Sequence, residues 1–84
     1  MPKYYATFSN NVTASRKSDR VYTHAVTLVY VGTATPDDGY TIFKPSWAGR
    51  PDLVPGQISK WKTEKTLRQL NDDWQVEAVE ARTS

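Results

Sequence analysis

Cysteine is absent from this 84-residue chain, histidine and methionine each occur once, and only four glycines are present. Without cysteine there is no disulfide, thiolate nucleophile or cysteine metal site. Small secreted domains commonly depend on such staples, so an intracellular setting is expected. Long apolar runs are also missing. The longest, Ala25 to Val31, contains Thr27 and falls far short of the roughly 20 residues a membrane helix needs. The start, Met1-Pro2-Lys3-Tyr4, lacks the apolar stretch of a signal peptide, which adds to the expectation of a cytoplasmic protein.

Catalytic motifs are missing too. The chain holds no glycine-rich phosphate loop, no G-x-S-x-G and no H-E-x-x-H. His24 stands without an evident base, nucleophile or co-ligand, so a structural hydrogen bond is its expected role. Asp37-Asp38 and Asp72-Asp73 occupy turn positions, where aspartate bonds the local backbone, and neither has the ligand spacing of a calcium loop. The expectation is a protein that is not an enzyme, with no catalytic residue, no metal ligand and no cofactor.

What is present is aromatic. Hydrophobic residues make up only 38%, but three Trp, five Tyr and two Phe bring aromatics to 12%. Each ring buries on the order of 150–250 Å², so a single domain over residues 1–84 can build a thin core on a few large side chains. Net charge is +2 and uneven. Lys3, Arg16, Lys17 and Arg20 face only Asp19 in residues 1–20, while residues 69–84 set Arg82 against Asp72, Asp73, Glu77 and Glu80. Such segregation permits a basic face and an acidic one.

Periodicity predicts an α+β domain: a small, mainly antiparallel sheet in the order β-β-β-β-α-β with one helix across a face. Residues 3–8 alternate, Tyr4, Ala6 and Phe8 on one side and Tyr5 and Thr7 on the other. Ser9-Asn10-Asn11 makes a turn into a short strand from Val12 to Ser15. Residues 21–31 are rich in β-branched and aromatic side chains and apolar in both phases, as a central strand covered on both faces would be. Thr35-Pro36-Asp37-Asp38-Gly39 is a turn signal, which makes Tyr40 to Phe43 a fourth strand. A Pro/Gly-rich loop is expected at about residues 44–56. Thr63 would cap a helix at about residues 63–71, and Trp74 to Ala81 would close the sheet with a bulge or with two apolar faces. The expected core is Phe8, Val26, Leu28, Tyr30, Ile42, Leu67, Leu70 and Val76.

Two surfaces invite a partner. Trp47 and Arg50 in the loop, with Trp61 beyond it, are the residue types most enriched in protein interface hot spots. The alternative is that Trp47 folds back as a lid on the sheet. The second surface is Arg16-Lys17-Ser18-Asp19-Arg20 followed by Tyr22 and His24, where cations beside rings suit a nucleic-acid backbone and its bases. The bland reading of that segment is a solvated connection.

Tyr4-x-Ala6-Thr7-Phe8 and the stretch Thr13-x-x-Arg16-x-Ser18-x-Arg20-x-Tyr22-Thr23-His24-Ala25-Val26 resemble small uncharacterised proteins encoded by actinobacterial phages. The resemblance covers the first third of the chain. It implies an accessory factor that works in the bacterial host cytoplasm and carries over no site residue. Together these readings favour a non-enzymatic protein that binds and modulates a host protein through Trp47, Arg50 and Trp61, with nucleic-acid binding through residues 16–20 as the alternative.

Overall fold

A computed structural model describes residues 2–9, 11–32 and 43–83. The elements run β1 (Lys3–Thr7), β2 (Thr13–Lys17), β3 (His24–Tyr30), β4 (Ser46–Ala48), a short 3-10 turn (Pro51–Leu53), α1 (Val54–Leu67), β5 (Trp74–Glu80) and β6 (Arg82–Thr83). The strands form two antiparallel three-stranded sheets, ordered β2-β1-β6 and β4-β3-β5. With α1 laid across β3 and β5, the expected α+β class and a helix over one sheet face are what the fold contains.

Pleating divides the side chains among three layers. Ala6 and Phe8 of β1 meet Ala25 and Val29 of β3 between the sheets, with Ala14, Trp47 and Val79 packed at the margin. The opposite phase of β3 carries Val26 and Leu28, both buried, under the helix. Hence β3 is covered on both sides along nearly its whole length, as its two-phase apolar pattern predicts. The same division resolves β5: Trp74 and Val76 serve the helix side and Val79 the layer between the sheets. Beyond Glu80 the chain crosses from one sheet to the other, with the Ala81 amide bonded to the Thr23 carbonyl (2.9 Å).

The first hairpin follows its turn chemistry. Asn11 takes φ 67°, and its amide bonds the Phe8 carbonyl at 2.9 Å while the Phe8 amide reaches Val12 at 3.0 Å. Asparagine tolerates that left-handed backbone better than most residues. A carboxylate then ties the turn to the second sheet: Glu77 accepts from both the amide and the hydroxyl of Ser9.

The second half departs from expectation. Tyr40 to Ile42, and with them the proposed fourth strand and the turn at residues 35–39, lie outside the described residues, while Phe43 precedes β4 as half-buried, non-strand chain. The strand that pairs with β3 on this side is Ser46–Ala48, inside the segment expected to be loop. Helix also begins earlier, at Val54 rather than 63, because Pro55 falls in the first turn, where its missing N–H costs nothing. Thr63 caps nothing: it sits mid-helix with its hydroxyl on the Ser59 carbonyl (3.1 Å). The inward stripe is Val54, Ile58 and Trp61 with Gln57, Glu64 and Lys65, all half-buried, and Leu67 is 73% exposed on the other side. Leu67 is therefore not core. Leu70, half-buried, comes after the helix: Gln69 turns at φ 55° and the Leu70 amide caps the Lys65 carbonyl (3.1 Å). Of the other expected core residues, Phe8, Val26 and Leu28 are buried, Tyr30 and Val76 are half-buried, and Ile42 is not described.

Candidate nucleic-acid interface

The outer face of the β2-β1-β6 sheet is set by register. In an antiparallel pair, directly opposed residues project to the same side. On β1 the buried phase is Tyr4 and Ala6, so Lys3, Tyr5 and Thr7 point outward. Their partners follow: Lys17 opposite Lys3, Ser15 opposite Tyr5, Thr13 opposite Thr7 and Arg82 opposite Tyr5 on the other flank. Seven positions drawn from the first hairpin and the distant β6 thus form one surface of three cations, one ring and three hydroxyls. No carboxylate is among them.

Contacts within the face are few and weak. The Lys3 ammonium stands 5.4 Å from the Tyr5 ring centroid, worth about 0.5–1 kcal/mol at an exposed site. Arg82 Nη2 donates to Thr7 Oγ1 at 3.0 Å, and the Thr7 and Thr13 hydroxyls are 2.9 Å apart. Among the described residues the ion pairs are Arg50–Asp52 and Arg68–Glu64, so no described carboxylate is paired with Lys3, Lys17 or Arg82. Lys3 and Lys17 face each other directly across the ladder, an arrangement that destabilises a sheet.

The basic segment expected to bind nucleic acid is split by the fold. Lys17 belongs to the outer face. Arg16 projects the other way, its guanidinium 5.3 Å from the Tyr22 ring centroid. Tyr22 is half-buried between Tyr4 (5.4 Å) and Trp47 (5.9 Å). His24, half-buried, has Nδ1 2.9 Å from the Thr23 hydroxyl, the structural bond expected of it. Arg20 is exposed beyond β2, its amide bonded to the Ser18 hydroxyl. Arg16 and Lys17 are strand residues, not a connection, because β2 extends two residues past Ser15.

The aromatic surface is also divided. Trp47 lies in β4, half-buried, packed on the layer between the sheets. Arg50 is exposed and paired with Asp52 at 3.4 Å. Trp61 donates from Nε1 to the Ser46 hydroxyl (3.2 Å) and meets Phe43 edge to face at 5.7 Å. Phe43, Lys44, Ser46, Lys60, Trp61, Glu64 and Arg68 line a cleft of about 300 Å³. Two of its charged groups are already paired, since Arg68 bonds Glu64 at 2.6 Å and stands 5.0 Å from the Phe43 centroid.

Lys3, Tyr5 and Arg82 are the residues missed by reading along the chain. The outward phase of β1 is visible in the alternation of residues 3–8, but Arg82 joins it only through pairing across the length of the domain. Among the described residues, no group of three His, Asp or Glu side chains is placed to hold a metal ion, and no helix is long and apolar enough to cross a membrane. Comparisons with protein-family models, curated proteins and solved structures find no match to this chain.

Proposed function

We propose that this protein is a small, non-enzymatic nucleic-acid-binding accessory factor working through the outer face of its first sheet. The observation that carries the reading is the cluster of Lys3, Lys17 and Arg82, none paired with a described carboxylate, around the half-buried Tyr5 on the outer sheet face. Cations position phosphates, and a ring on an open sheet offers a base a stacking platform. The resemblance of residues 4–26 to phage proteins suits a factor acting in the host cytoplasm. Capture of a host protein through Trp47, Arg50 and Trp61 is less well supported, because the Trp47 ring is packed on the core and Arg50 has its own acidic partner.

The test is a binding titration at several salt concentrations. Three phosphate contacts on a single strand give a slope of log K against log salt of about −2. A labelled oligonucleotide should therefore bind in low salt and weaken with that slope. Binding that is insensitive to salt, or absent at the lowest salt used, contradicts the proposal.

A further inference from the structure

We infer that the ligand of this face is single-stranded, with one phosphate seated between Lys3 and Lys17 and one base laid on Tyr5. The inference rests on the nucleic-acid reading above and narrows it. Lys3 and Lys17 are opposed across β1 and β2, where Cβ atoms sit roughly 4.5–5.5 Å apart and like charges repel. No described carboxylate relieves them. A phosphate that both flexible ammonium groups reach turns the repulsion into attraction to a shared anion. The pair is strained when free and satisfied when loaded.

The ring then selects the strand. Tyr5 is two residues beyond Lys3 on the same face, about 7 Å at strand rise, so one strand can set a phosphate at the lysine pair and a neighbouring base on the ring. Only an unstacked base can lie on the ring. In a duplex the bases stay paired and stacked, with their faces closed to it. Tyr5 is flanked by Arg82 on the side away from Lys17's strand, so a second phosphate has a cation beside the stacked base. In the free protein the Lys3 ammonium sits over Tyr5. Moving it to the phosphate uncovers the ring for the base, so the two contacts form together.

The probes are a labelled thymidylate octamer, a uridylate octamer and a twelve-pair duplex, titrated by anisotropy at low salt against the wild-type chain and three variants. Single strands should bind at least tenfold tighter than the duplex, and the two octamers decide between DNA and RNA. Tyr5→Phe should retain affinity, while Tyr5→Leu should lose about five- to a hundredfold, the range for one base–aromatic stack. Lys17→Glu places an opposite charge across from Lys3. It should weaken binding at least tenfold while the thermal midpoint stays level or rises, which a merely damaged fold would not do. Equal affinity for duplex and single strand, full affinity in Tyr5→Leu, or a lowered midpoint in Lys17→Glu overturns this inference and leaves the broader proposal standing. Failure of all three probes to bind the wild-type chain removes both.

Discussion

Phe8→Ala should leave little folded protein. The ring is 4% exposed and stands in the cluster that joins the two sheets, among Ala6, Ala25 and Val29. Its buried neighbours there are small, and the one large ring packed against the cluster, Trp47, is held beside Tyr22 in β4. Truncating a buried Phe costs about 3–5 kcal/mol. A domain of this size holds roughly 5–10 kcal/mol in all, so most of its margin goes. Urea unfolding followed by circular dichroism measures the loss directly. A cost below about 1 kcal/mol would show that the layer between the sheets is not where the fold is held.

Trp47→Ala should also act through stability, as the reading of Trp47 as a lid on the sheet expects and the reading of it as an exposed anchor does not. In a Pro/Gly loop Trp47 would be an exposed anchor whose removal abolishes partner capture and spares the melting temperature. In β4 its ring covers the core beside Tyr22. It is half-buried, so the cost should be about 2–3 kcal/mol, below the range for fully buried rings. The fraction that stays folded should bind oligonucleotide as the parent does, since Trp47 lies on the far side of the sheet from Tyr5. An unchanged melting midpoint with lost binding would restore Trp47 to the interface.

What was legible follows from how local each signal is. Alternation in residues 3–8 and the two-phase apolar run of β3 report burial directly, and both strands appear where they were expected. β4 has three residues between Pro45 and Gly49, too short to show a period. The helix start is hidden because Pro55-Gly56 reads as loop, although proline is at home in a first helical turn. Its inward stripe is diluted by Gln57, Glu64 and Lys65, so the apolar pattern points to Leu67 instead. Half of the candidate site was within reach. A hairpin turning at Asn11 sets Lys3 opposite Lys17, since turn position fixes register. Arg82 was not, because only the crossing at Ala81 carries the chain end back beside β1.

The central claim is that the outer face of the first sheet takes the ligand, and amide chemical-shift mapping tests it most directly. With a thymidylate octamer titrated into isotope-labelled protein, the shifts should concentrate on Lys3, Tyr5, Ser15, Lys17 and Arg82. Amides around Phe43, Trp61 and Arg68 should stay still. Shifts confined to that second group, with the Tyr5 and Lys17 amides unmoved at saturation, would contradict the account.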